Sequence, residues 1–82
     1  MHYQSSYAEL TKQTADAYHV LINDRFRNTS ALLKASELFD VLNGEALVSD
    51  SGDPLRAEEV VATLISAPVG HKVRISLVER VA

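Results

Sequence analysis

The sequence has no cysteine, only three glycines and no long apolar run. Without cysteine the chain can form neither a disulfide nor a thiolate metal site. Gly44, Gly52 and Gly70 stand far apart, so they cannot build a glycine-rich phosphate loop or a dinucleotide fingerprint. No apolar stretch approaches the ~20 residues of a membrane-spanning helix. We therefore expect neither a nucleotide cofactor nor a membrane partner.

The charge and length narrow the class of protein. A formal net charge of −3 argues against broad, charge-driven binding to nucleic acid. The start of the chain has neither the basic segment nor the apolar core of a signal peptide, so a cytoplasmic location is expected. We predict that residues 1–82 form a single small domain with residues 1–5 frayed. Small cysteine-free domains often gain stability by oligomerising.

Apolar side chains in the first part of the chain recur at helical spacing. Ser6 and Glu9 also have the spacing of a capping box. The spacing therefore predicts a helix over about residues 6–26. The apolar face would consist of Tyr7, Leu10, Ala15, Ala17, Tyr18, Leu21, Ile22 and Phe26.

The following segment has the signals of a second helix. Ser30 can cap its first turn, and Asn43-Gly44 can end it, so a helix over about 30–43 is predicted. The short link between the two helices favours an antiparallel helical hairpin. The inward side chains would be Leu32, Leu33, Ala35, Leu38, Phe39 and Leu42.

The last part of the chain reads as a short strand at 46–49, a third helix and a C-terminal strand. Asp53 and Pro54 suit the cap and first turn of the third helix, which Pro68 should end at Ala67. The resulting fold class is mainly α with a small β component (α+β). It comprises a helical hairpin, a short strand, a third helix and a strand over 72–80, completed by dimerisation.

The C-terminal strand alternates between apolar and polar residues, which is typical of a half-buried strand. It needs a partner for its backbone, and two arrangements fit. The strand could pair with 46–49, with the third helix as a right-handed crossover between parallel strands, or with its own copy across a two-fold axis. The expected dimer or partner interface consists of Val73, Ile75, Leu77, Val78 and Val81.

The opposite face of this strand carries basic side chains. If two copies paired as an antiparallel ribbon, these side chains would double into a compact positive surface that fits the DNA major groove. A second basic spot lies near the predicted junction of the first two helices. The candidate nucleic-acid contacts are Lys72, Arg74, Arg80, Arg25 and Arg27.

The sequence contains no convincing catalytic or metal-binding pattern. Asp16 and His19 could form a polar pair on a helix, but neither a third ligand nor a nucleophile is indicated. We therefore expect no enzyme activity, no metal and no cofactor. The predicted function is a small non-catalytic protein-interaction or regulatory module that acts as a homodimer and can also bind another protein. The alternative is a dimeric DNA-binding transcriptional regulator that uses the basic strand face.

Overall fold

A computed structural model of the chain describes residues 6–78 and shows a five-stranded antiparallel sheet with two helices. Strand accounts for 37% and helix for 26%, so the expected mainly α fold class is wrong. The expected fraying of residues 1–5 lies outside the described range. The elements are β1 (Tyr7–Lys12), β2 (Tyr18–Asn23), β3 (Asn28–Leu33), α1 (Ala35–Asn43), β4 (Leu47–Val48), α2 (Ala57–Ser66) and β5 (Lys72–Leu77). The order of strands across the sheet is β3-β2-β1-β5-β4.

The predicted first helix, 6–26, is instead the β1–β2 hairpin and the start of the next turn. Leu10 and Val20 are directly opposite each other and both are buried. The strand pattern has period two and continues through Tyr18 and Ile22, which are also buried. β-Branched and aromatic residues pack well on a pleated surface, which favours a strand over a helix here. Phe26, expected to face inward, is 76% exposed.

The predicted helical hairpin is also wrong, because the second helix starts later than expected. Residues 28–33 form β3, which pairs antiparallel with β2. Helix α1 begins at Ala35, and the backbone N–H of Lys34 donates to Glu37 Oε1 at 2.9 Å. Ser30 therefore lies in a strand and does not cap the helix. Of the predicted helix, only residues 35–43 are helical.

The third helix also starts later than predicted, at Ala57. Asp53 closes a tight loop with Ser49: the Ser49 N–H donates to the Asp53 carbonyl at 2.8 Å, and the Asp53 N–H donates to Ser49 Oγ at 3.1 Å. Gly52 lies in this loop with φ of 87°, a conformation that favours glycine. Asp53 is therefore a loop residue and not the cap of α2.

Strand β5 lies inside the sheet, between β1 and β4, and runs antiparallel to both. Its long partner is β1, which pairs Tyr7 with Ser76 at one end and Thr11 with Lys72 at the other. The expected pairing of this strand with the 46–49 segment is confirmed at Leu47 and Val48, but its predicted parallel direction is wrong. The ribbon across a two-fold axis is not needed, because β1 supplies the long partner. All five strands of the sheet come from one chain, so dimerisation is not needed to complete it.

The core lies between one face of the sheet and the two helices. Leu10 from β1, Leu38 and Leu42 from α1, and Leu64 from α2 are fully buried. Among residues 6–78, no helix is long and apolar enough to cross a membrane.

A charged side chain also faces the core. Lys12 is only 8% exposed, and its ammonium donates to the carbonyls of Ile65 at 2.6 Å and Ala67 at 2.8 Å. Carbonyls at the end of a helix lack intrahelical partners, and a cation stabilises the negative end of the helix dipole. Lys12 therefore ties β1 to the C-terminal end of α2.

Candidate interaction surfaces

The uncovered face of the sheet carries the basic side chains of β5. Lys72 and Arg74 are exposed there, and the buried Ile75 points to the opposite face, as the alternation predicted. The Arg74 guanidinium carbon lies 3.8 Å from the centroid of the Tyr7 ring, and Lys72 Nζ lies 3.9 Å from Glu9 Oε1. These contacts are a cation–π interaction and a weak surface ion pair, both with side chains of β1.

The apolar residues expected at an interface differ in how far the chain itself buries them. Ile75 is 3% exposed and Leu77 is 8% exposed, so their side chains are buried in the core of their own chain. Val73 packs against the same core and is half-buried. Val78 follows β5 and is 53% exposed. Val81 lies outside the described residues.

The second basic spot is organised by an ion-pair network. The Arg27 guanidinium donates to Asp24 Oδ2 at 2.6 and 2.8 Å and to both carboxylate oxygens of Glu45 at 2.9 Å. The hydrogen bond from Arg27 lowers the pKa of the Asp24 carboxyl below its ordinary value. The hydrogen bonds that Arg27 donates to Glu45, and then those to Asp24, raise the pKa of Arg27. Arg27 thus joins the β2–β3 turn to the segment after α1.

Arg25 lies in the same turn, with its guanidinium carbon 6.0 Å from the centroid of the exposed Phe26 ring. Arg80 lies outside the described residues. Strand β1 lies between β5 and β2, so the β2–β3 turn with Arg25 and the basic residues of β5 belong to non-adjacent strands. The doubled basic ribbon cannot form as a two-stranded unit, as predicted, because β1 pairs with β5 along its length and β4 pairs with its last two residues.

The suggested Asp16–His19 pair does not lie on a helix. His19 is in β2, opposite Thr11 of β1, and Asp16 is in the preceding turn. Within the described part of the chain, no three His, Asp or Glu side chains are grouped closely enough to hold a metal ion.

One open edge of the sheet is β3. The Asp24 N–H donates to the Arg27 carbonyl at 2.8 Å, which sets the alternation of the antiparallel ladder. Residues 29, 31 and 33 consequently bond to β2, and Asn28, Ser30 and Leu32 direct their backbone N–H and C=O groups away from the sheet. No strand of the described residues pairs with this edge. The edge was missed in the sequence because residues 30–33 were assigned to a helix.

Edge strands of natural proteins are commonly protected by charged side chains, proline or a covering element. Strand β3, with the sequence NTSALL, has no charged residue and no proline. Leu32 is 60% exposed on this strand, and Ala31 is also exposed. Strand β3 therefore offers an unprotected backbone edge that can pair with another strand.

A second, shorter open edge lies along β5. Strand β4 pairs only with Ser76 and Leu77, so it leaves the first part of β5 without a neighbour on that side among the described residues. The Leu77 N–H donates to the Ser6 carbonyl, and the Val78 N–H donates to the Ala46 carbonyl, each at 2.9 Å. By the same alternation, the backbone groups of Lys72 and Arg74 face the open side.

A cleft of about 260 Å³ adjoins this edge, between β5, α2 and the loop that follows β4. Val60 and Thr63 of α2 line one wall, and Val73 and Ile75 line the side formed by β5. Asp50 contributes from the loop. The cleft thus places a largely apolar surface directly beside unpaired strand backbone.

Comparisons with protein-family models, with curated proteins and with solved structures gave no significant match.

Proposed function

We propose that the chain is a small non-catalytic protein-interaction or regulatory module that acts in the cytoplasm as a homodimer joined through β3. The observation that carries this proposal is the unprotected edge formed by Asn28, Ser30 and Leu32. Unpaired N–H and C=O groups along a strand are a template for pairing with another strand. The dimer is an assembly of complete domains and is not required to close the sheet.

With a two-fold axis through Ser30, the unpaired N–H and C=O groups of the two β3 strands would pair with each other. Ser30 would lie opposite its own counterpart, and Asn28 of each copy would lie opposite Leu32 of the other. On the second face, Thr29 would lie opposite Ala31. These side chains are small or uncharged near the axis, so the pairing brings no like charges together. Two sheets of five strands would become one continuous antiparallel sheet of ten.

The test is the molar mass of the Ser30→Lys variant by sedimentation equilibrium. The proposal predicts a dimer for the unchanged chain and a monomer for the variant, because the variant places two like charges opposite each other at the axis. Ser30→Ala is the matched control, since it keeps the backbone edge and should remain dimeric. A monomeric unchanged chain, or a dimeric lysine variant, would contradict the homodimer.

The DNA-binding alternative lacks comparable support. Its geometric argument was an isolated two-stranded basic ribbon, whereas β5 is an inner strand of a five-stranded sheet and pairs along its length with β1. Lys72 and Arg74 contact Glu9 and Tyr7 of that neighbouring strand. The Arg27 guanidinium is engaged by two carboxylates. We therefore retain the protein-interaction module as the proposed function.

A further inference from the structure

The open edge of β5 offers hydrogen-bonding groups at the spacing of an extended polypeptide. Lys72 and Arg74 each direct an N–H and a C=O away from β1, and these two residues are about 6.6 Å apart along the strand. Groups at this interval match the backbone of another strand. A peptide can therefore add to this edge as the next strand of the sheet.

The surroundings of the edge specify which side chains such a strand would carry. A residue opposite Val73 would point to the helix-covered face and enter the cleft beside Val60 and Ile75. The side chains of Val60 and Ile75 are apolar, so this part of the cleft favours an aliphatic side chain. The two neighbouring residues of the added strand would point to the uncovered face, next to Lys72 and Arg74.

The charges on the uncovered face favour acidic neighbours. Lys72 and Arg74 are exposed, and the ion pair of Lys72 with Glu9 is long at 3.9 Å, so both cations can contact a further carboxylate. Opposite charges on directly paired residues stabilise a sheet, and like charges destabilise it. An acidic residue on each side of the aliphatic one would be complementary to this edge.

We propose that the open edge of β5 binds, as an added antiparallel strand, an extended segment of another protein in which one aliphatic residue lies between two acidic residues. None of the 11 acidic residues of this chain is followed by another acidic residue two positions later. A second copy therefore lacks the required segment, so the occupant is a different protein. The inference rests on the interaction-module part of the proposed function and is independent of the β3 dimer.

The test is fluorescence anisotropy with a labelled, threonine-flanked peptide that has a central Glu-Val-Glu. It should bind roughly tenfold tighter than the same peptide with Lys-Val-Lys. The double variant Lys72→Glu/Arg74→Glu should reverse this preference, since both positions are exposed. Equal binding of the two peptides, no binding of either, or an unchanged preference in the double variant would overturn the proposal.

Backbone pairing has a separate test within the same peptide. The glutamates would lie opposite Lys72 and Arg74, so their N–H groups point to β5, whereas the valine N–H points away. Methylation of one glutamate amide nitrogen should therefore weaken binding at least tenfold more than methylation of the valine nitrogen. Equal effects would overturn the added-strand arrangement.

Measurements on the Ser30→Lys variant separate this proposal from the homodimer. The two edges lie on different strands, so the monomeric variant should bind the Glu-Val-Glu peptide as tightly as the unchanged chain does. Loss of peptide binding in a folded Ser30→Lys variant would overturn the independence of the two edges. A monomeric unchanged chain that binds the peptide would refute the homodimer and support the β5 site.

Discussion

At the residue scale, Lys12 is a charged side chain buried beside an apolar core. Its ammonium satisfies two carbonyls at the end of α2, those of Ile65 and Ala67. We predict that Lys12→Met lowers the free energy of unfolding by about 1.5–3 kcal/mol, because methionine keeps an apolar stem but cannot donate. Urea denaturation measures this change.

The matched control is Lys72→Met, which removes a lysine from the uncovered face of the sheet. Its ion pair with Glu9 is long and exposed, so the cost should stay below about 1 kcal/mol. Equal effects of the two substitutions would show that the contacts of Lys12 do not stabilise the fold.

The Asp24–Arg27 pair predicts a pH dependence of stability. In the folded chain the pKa of Asp24 is lowered from the ordinary value of 3.8. The ionised carboxylate of Asp24 therefore stabilises the fold at pH values above this ordinary pKa. This contribution is lost as the pH falls from about 4 through the lowered pKa. Asp24→Asn keeps an oxygen acceptor for the N–H groups of Phe26 and Arg27 but does not titrate.

The melting temperature measured from about pH 6 down to pH 2 tests this prediction. The unchanged chain should lose more stability over the acid limb than Asp24→Asn does. Parallel curves for the two proteins would show that the Asp24 carboxylate contributes no pH-dependent stability.

At the element scale, β5 was predictable because its own residues carry the whole pattern. Val73, Ile75 and Leu77 alternate with polar residues, and the structure places Ile75 and Leu77 in the core. We predict that Ile75→Ala costs about 2–5 kcal/mol through lost packing and a residual cavity. The neighbouring Ser76→Ala, on the other face, should change stability by less than about 0.5 kcal/mol. Urea denaturation of both variants checks the assigned faces.

The β1–β2 hairpin was not predictable from its apolar spacing, because two periodicities fit the same residues. Leu10 and Leu21 belong to a helical stripe, yet in the structure Leu10 is in the core and Leu21 faces the other side. The inward position of Lys12 also interrupts the apolar alternation of β1. Its burial depends on carbonyls more than 50 residues away in the chain, which a local pattern cannot reveal.

The candidate sites also divide into features that a local sequence pattern predicts and features that depend on long-range pairing. The exposed face of Lys72 and Arg74 could be predicted, because it depends only on the alternation of β5. The open edge beside these residues could not, because it depends on how far β4 extends along β5. The β3 edge was not predicted, because residues 30–43 were assigned to a helix. Which strand edges stay open depends on the order of strands in the sheet. That order is set by the pairing of β1 with β5, which are far apart in the sequence, so a local pattern cannot reveal it.

At the scale of the whole molecule, one chain supplies every strand of the sheet, so folding does not depend on assembly with a second copy. The central ladder joins residues 7–11 to residues 72–76, so segments from the two ends of the described chain pair with each other. The core needs no side chains from a second copy, since Leu10, Leu38 and Leu64 are already buried in one chain. A monomeric variant should therefore still fold cooperatively.

This separation predicts how thermal stability depends on protein concentration. If the native state is a dimer, mass action raises the melting temperature of the unchanged chain and of Ser30→Ala with concentration. The monomeric Ser30→Lys variant should show the same far-ultraviolet circular dichroism and a melting temperature that is independent of concentration. Because position 30 is exposed and outside the core, its melting temperature should match the unchanged chain extrapolated to low concentration. A variant that loses its cooperative transition would show that the second copy is needed for folding.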